Sequence, residues 1–273
     1  MGVVRTDKWL EAYLFKWKKA TSIHEKIECQ RDVIIQPLSE IFLTEDLFGL
    51  QHYLIQMGLF GAEQAIEKEY EKWTQQMPWS TIQRQFEELK HKWAGPDVKI
   101  YVLPLNDQNS FLEKELGSKT GLTIGNAILL FIRSYTKEED LKALITHEYH
   151  HVCRLKQTKQ KESSMILLES MVMEGLAEIA VKEEVGQHYC APWTTRYDQV
   201  WESQLYERLI KPNLYIKGRT NHHIFLYGDE QRGVPLWLGY YVGYKMADTA
   251  LRKIDRRDLI SIPAEIILEK SEI

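Results

Sequence analysis

Residues 141–158, LKALITHEYHHVCRLKQT, hold apolar side chains at helical spacing (Leu141, Leu144, Ile145) and, in their middle, His147-Glu148-Tyr149-His150-His151. Thr136 and Glu139 stand ahead of them as a capping box, so the stretch reads as a helix of about twenty residues. Residues four apart share one helical face, so His147 and His151 can present ring nitrogens to a single metal ion. Glu148 projects beside them, within reach of a water on that metal. Imidazole suits Zn2+, and three protein ligands leave one position open for the water. The chain has nine His, and random placement of its His and Glu yields only about 0.03 such matches. The bland alternative, histidines scattered along a polar face, fits poorly with a motif in mid-helix within an apolar segment. His150 points away from the 147/151 face and takes no ligand role. Cys153 reads as a small buried hydrophobe.

The third ligand decides the subtype. A metzincin needs Gly at position 154 and His at 157, where this chain has Arg154 and Gln157. A ligand from a second helix remains. Past a loop at 157–163, QTKQKES, a helix expected from about Ser163 to Glu184 offers Glu169, Glu174 and Glu178. Glu169 lies about 140° around that helix from Glu174, beside Glu162 and Glu183, and is expected to be solvated. Glu174 and Glu178 stack one turn apart with Ser170 among Met, Leu, Val, Ile and Ala. Carboxylates are rarely buried unless paired or bound to metal. A salt-bridge pair and a metal ligand both stay open.

Outward from this helix, residues 7 to about 93 read as helices. Trp9, Tyr13 and Trp17 recur every four positions, and Gln64-Ala65-Ile66 through Trp73 continue the period. Ser80 and Gln83 resemble a capping box for the helix carrying Phe86 and Leu89. Ala94-Gly95-Pro96 stops it, which sets the expected division: an N-terminal helical region, 1–95, and a second domain, 96–273. The residues from Val98 to Leu103 alternate as a strand. Residues 123–132, TIGNAILLFI, read as a second strand interrupted at Gly125-Asn126 by a bulge or a close backbone approach. Helices are expected near 196–210, 236–253 and 256–270. The fold class is therefore α+β, predominantly helical.

Composition narrows the function by exclusion. In 273 residues, 35 basic side chains face 39 acidic ones, for a net charge of −4, and the basic residues are scattered. A nucleic-acid footprint is excluded. No apolar run approaches ~18 residues, so no membrane span is expected. Cys29, Cys153 and Cys190 are too widely spaced for a disulfide framework or a CxxC knuckle, which points to a reducing, cytoplasmic home. The first residues, MGVVRTDKWLEAYLFKWKK, contain no apolar signal core. Met1-Gly2 with Thr6 fits the loose myristoylation pattern but reads better as an ordinary entry into a helix.

HEYHH followed by MVMEGLAEIAV resembles the gluzincin pattern, in which Glu of an E-G motif on the next helix completes a zinc site. With G-L-T-I-G-N before the zinc helix and G-Y-Y-V-G-Y after it, residues 98–250 resemble a bacterial YjaZ-like family of zinc-dependent proteases, a domain of unknown function. The resemblance implies a zincin-like metallopeptidase fold, with an active-site helix and a small sheet whose edge strand holds substrate. It implies Zn2+ on His147, His151 and Glu174, with Glu148 as general base and Glu178 orienting a ligand imidazole. The 22 residues between His151 and Glu174 depart from the spacing of the best-known aminopeptidase group. Gly125, Asn126 and Ala127 would border the cleft, unless their strand is a plain core strand. Tyr240 and then Tyr244 match the oxyanion donor, although an aromatic stripe at helical spacing is more often core. His222 and His223, in RTNHHIFLYGDE, are rival donors.

Two functions follow. The first is a zinc-dependent peptidase acting on a peptide or protein substrate. The second is a zinc-binding regulatory or interaction module on the same fold, without catalysis. Cleft access discriminates them, and oligomeric state is not legible. Two decoys compete with the zinc motif. His24-Glu25-Lys26-Ile27-Glu28 begins like it but ends in Glu. Glu88/His91 with Glu148/His151 would suit a di-iron bundle, yet about 0.9 such pairs arise by chance.

Overall fold

Local signals in the sequence account for several element boundaries in the computed structural model, which describes residues 1–117, 119–161, 163–254 and 260–273. The first stretch folds as α1 (Thr6–Trp17), α2 (Ile23–Gln30), α3 (Gln36–Phe42), α4 (Leu47–Met57), α5 (Glu67–Gln76) and α6 (Pro78–Lys92). Ser22 and Glu25 close a capping box on α2, and His24 pairs with Glu28 across its surface at 3.2 Å. The first decoy is therefore a helix start. Glu88 and His91 are both exposed on α6, which removes the di-iron reading. That helix begins at Pro78, earlier than the expected box, because Pro is already shaped for the first helical position. The Gln83 side chain instead accepts a hydrogen bond from the Val3 amide at 2.7 Å.

A three-stranded sheet follows, made of β1 (Lys99–Pro104), β2 (Lys119–Ile124) and β3 (Ala127–Ile132), with α7 (Ser110–Leu116) between β1 and β2. The order is β1-β3-β2, with β1 parallel and β2 antiparallel to β3. The expected single strand over 123–132 is thus a hairpin, with Ile124 opposite Ala127. Gly125 has φ +55 while Asn126 keeps φ negative, the sign pattern of a two-residue II′ turn. Its twist matches the flanking strands, so the chain reverses where a bulge was expected. All of β3 (AILLFI) is buried as the central strand. The far edge of β1 is covered by residues 2–4, since Ile100 donates to the Gly2 carbonyl at 3.0 Å and Val4 donates back at 2.8 Å. Among the described residues β2 pairs only with β3, so its outer side is the open edge.

The chain continues into α8 (Glu138–Thr158) and α9 (Leu167–Glu184). The Thr136 hydroxyl accepts from the Arg133 amide at 3.1 Å, and α8 itself starts at Glu138. Then come α10 (Ser203–Leu205), α11 (His223–Tyr227), α12 (Leu238–Ala250) and α13 (Ala264–Lys270). The helix expected over 196–210 is confined to α10 and the π-turn that continues it to Ile210. Of the one expected over 256–270, residues 256–259 lie outside the described residues. The chain forms two compact units, Met1–Glu148 and Tyr149–Ile273, divided within the continuous helix α8. The helices before residue 95 and the sheet after it share the first unit.

In the second unit every residue from Leu167 to Val181 is buried. Its tightest contact is with α12. A Cβ added at Gly175 would collide with the Gly243 carbonyl oxygen and stand 2.8 Å from the Tyr244 amide nitrogen. A Cβ at Gly243 would collide with the Met171 carbonyl. Two bare glycines let the helix backbones touch. No helix among the described residues is long and apolar enough to cross a membrane.

Candidate metal centre

His147 and His151 occupy successive turns of α8, half-buried and buried respectively, and α9 brings Glu174 to them. The Glu174 carboxylate lies 3.3 Å from His151 Nε2, and one ligand atom from each of the three residues falls within 4.8 Å of the others. Glu174 is only 5% exposed. A carboxylate so buried needs a strong compensating partner. Two imidazoles and one carboxylate are the donor chemistry that suits Zn2+.

Glu148 is buried on the neighbouring face of α8, against β2. The Thr123 hydroxyl donates to Glu148 Oε2 at 2.7 Å and sits 3.1 Å from the Glu148 carbonyl. Gly121, two residues earlier on the same face of the strand, leaves the space that the Glu148 side chain fills: an added Cβ would collide with its Oε1 and come within 2.5 Å of its Cγ. Both lie in the G-L-T-I-G-N motif, which singled out Gly125 and Asn126 but gave neither of these a role. A Gly-Asn pair between two β-rich runs is the signal that would have found the hairpin and with it this strand.

The other carboxylates of α9 are all engaged. Glu178 Oε2 accepts from the Ala191 amide at 2.6 Å. Glu169 corrects the expectation of a solvated charge. It is 3% exposed and receives both Nε and one terminal nitrogen of Arg154, at 2.7 and 2.9 Å. Arg154 itself is fully buried. Ser170 lies 2.8 Å from His222 Nδ1, while His222 Nε2 faces the Ile216 carbonyl at 2.8 Å. A carbonyl only accepts, so Nε2 carries the proton and Nδ1 accepts from Ser170. His222 is thereby a locked, neutral ring inside the core, with no nitrogen left for an oxyanion. Burial holds its pKa below the ordinary value. Burial also pushes the Cys153 thiol up to about 12, in keeping with a packing role.

The Gly175–Gly243 contact carries Tyr240 toward Glu174. Burial, and then the negative charge of Glu174, pushes the Tyr240 phenol well above its ordinary pKa, so it remains a proton donor. Its hydroxyl bonds to that of Tyr227 at 2.9 Å, and Trp193 and Trp237 pack on its ring at 5.0 and 5.1 Å. Tyr244, one turn on, is turned to Gln187 at 3.4 Å. His223 is exposed and packs on Tyr227 with ring centroids 4.5 Å apart. Gly125 and Asn126 form the exposed hairpin turn, and Ala127 is buried between β1 and β2.

The family model described as "Predicted Zn-dependent protease (DUF2268)" matches residues 78–269. Uncharacterized protein YjaZ of Bacillus subtilis (strain 168) is 38% identical over 274 residues, covering 98% of this chain and 99% of its own. Uncharacterized protein YjfC of the same strain is 30% identical over 112 residues, 38% of this chain and 37% of its own. No solved structure matches the chain.

Proposed function

The chain belongs to the family of predicted Zn-dependent proteases, and from that premise we propose that it is a gluzincin-type peptidase on a zincin-like fold. Its substrate is a peptide or a protein. The observation that carries the reading is the convergence of His147, His151 and Glu174, with Glu148 next to the first of them and pinned to a sheet edge. His147, His151 and Glu174 would hold the zinc. Bound there, zinc supplies Lewis acidity, polarising the scissile carbonyl and acidifying the attacking water.

The protein's own groups do the rest. Glu148 takes the proton of the attacking water and returns it to the leaving amine. Thr123 occupies Oε2, which leaves Oε1 to handle that proton. An extended substrate adds to the open edge of β2, gaining backbone hydrogen bonds whatever its sequence. The cleft border thus moves from Gly125, Asn126 and Ala127 to the stretch from Thr120 to Leu122, whose residues are half-exposed. That exposure favours the peptidase over a regulatory module with a covered cleft. Tyr240 donates to the developing oxyanion, and Tyr227 holds its ring in place. Glu178 orients a ligand imidazole. Residues 96–273 carry the catalysis and 1–95 support them. Cys29, Cys153 and Cys190 are free thiols, and a cytoplasmic setting is part of the same reading.

The test is zinc analysis combined with a peptide-library digest of the parent and of Glu148→Gln. The parent should hold stoichiometric zinc and make cuts that a chelator abolishes and added zinc restores. Glu148→Gln should keep the zinc and lose about 10²–10⁴ of the rate. A zinc-free parent, or a fully active variant, refutes the mechanism.

A further inference from the structure

Arg154 stands one turn beyond His151 on α8, and Glu169 stands five residues before Glu174 on α9. They meet through a two-pronged contact in which Nε reaches Oε1 at 2.7 Å and a terminal nitrogen reaches Oε2 at 2.9 Å. The other terminal nitrogen donates to the carbonyls of Ile262 and Ile260, at 3.0 and 3.3 Å. Every face of the guanidinium is therefore spoken for, and it cannot turn without losing a bond.

We infer that this pair is a positioning device for the metal centre, setting the register of α9 against α8 so that Glu174 meets His151. The inference rests on the zinc reading above. At 1.5 Å per residue, Arg154 lies about 4.5 Å past His151 along α8, and Glu169 about 7.5 Å before Glu174 along α9. The two cross-links, His151–Glu174 and Arg154–Glu169, therefore join the same helices at two levels, running in opposite chain directions. A single cross-link leaves the helices free to pivot and slide about it, whereas two at different levels fix both motions. The planar fork of Arg adds an orientation that a point charge would not. Stability alone explains the pair poorly. Burying both charges carries a desolvation cost, and packed apolar residues of similar volume are often as stable or more so.

The experiment uses the full chain with zinc as the probe. The variants are the double substitution Arg154→Met with Glu169→Leu, and the single Arg154→Lys. Zinc affinity is read by competition with a chromogenic chelator, ligand geometry by the visible spectrum of the cobalt-loaded protein, and folding by thermal unfolding without metal. The expected result is a metal-free double variant that unfolds close to the parent's temperature but binds zinc about tenfold more weakly. Its cobalt spectrum should be altered. Arg154→Lys should also bind more weakly, because an ammonium cannot form the fork. A folded variant with the parent's zinc affinity and cobalt spectrum overturns the inference. If neither variant folds, the pair is a stabiliser of the fold and the inference also falls. A parent that binds no zinc would instead refute the zinc reading itself.

Discussion

Replacing Gly175 by Ala tests how tightly α9, the helix that carries Glu174, is held against α12. In an ordinary helix interior this change gains about 1 kcal/mol, because Gly is the poorer helix former. Here the new Cβ would strike the Gly243 carbonyl and stand 2.8 Å from the Tyr244 nitrogen, both of them backbone atoms. No rotamer change relieves a backbone clash, so α12 must withdraw by roughly 1 Å to regain van der Waals separation. Overpacking of this kind costs about 1–3 kcal/mol. The clash is with backbone on both sides, so the steric cost should fall at the upper end of that range and, less the propensity gain, leave a net loss of about 2 kcal/mol. At about 2–4 °C per kcal/mol, the melting temperature should fall by about 4–8 °C. The same withdrawal takes Tyr240 away from Glu174, and a 1 Å misplacement can cost about 10² in rate. Calorimetry and a peptidase assay measure the two effects. One withdrawal accommodates both added methyls, so adding Gly243→Ala should cost less than the sum of the single changes. A Gly175→Ala protein that melts no lower than the parent and keeps its rate would refute the backbone contact and the role built on it.

Thr123→Val removes the donor to Glu148 Oε2 while keeping the shape of the side chain. Turnover should fall about tenfold with KM and zinc content unchanged, and Thr123→Ser should restore it, as steady-state kinetics would reveal. His222 supplies a pH dependence. Burial lowers its folded pKa, so the unfolded chain takes up the proton more readily. Its stabilisation is full above the unfolded value near 6.5 and drains away as pH falls through the folded value. Urea midpoints of the metal-free protein should therefore decline below about pH 6.5, and less steeply in His222→Gln; equal slopes would contradict this.

The parts of the site written into single helices were legible in the sequence. His147 and His151 follow from the four-residue period; the apolar helix marked Glu174 and Glu178 alike, and only the family resemblance singled out Glu174. Glu169 misled, because its partner Arg154 lies 15 residues away on another helix and no local pattern links them. The strand over 123–132 misled for a different reason. Both arms of the hairpin are β-rich, so the run looked continuous, and only the Gly-Asn pair betrayed the reversal. The contacts of Thr123 and Gly121 with Glu148 were hidden by the same error, although both residues stand in the G-L-T-I-G-N motif. His222 looked like a free loop donor because Ser170 and the Ile216 carbonyl reach it from distant parts of the chain. Helix periodicity is a local property, whereas a pairing partner is fixed only once the chain has packed.

The sheet's one open edge has a price in self-association. If it binds an extended substrate as proposed, the same edge would also pair with that of another copy of the chain. Two β2 strands pairing antiparallel would form a closed twofold dimer, with each copy blocking the other's edge. At high concentration, activity per molecule would fall. Residues 2–4 decide how far such pairing can go. By covering β1 they leave β2 as the available side among the described residues, which would stop the process at two. A sheet open on both sides could add copies without end, and the three residues laid beside Ile100 close one of those sides.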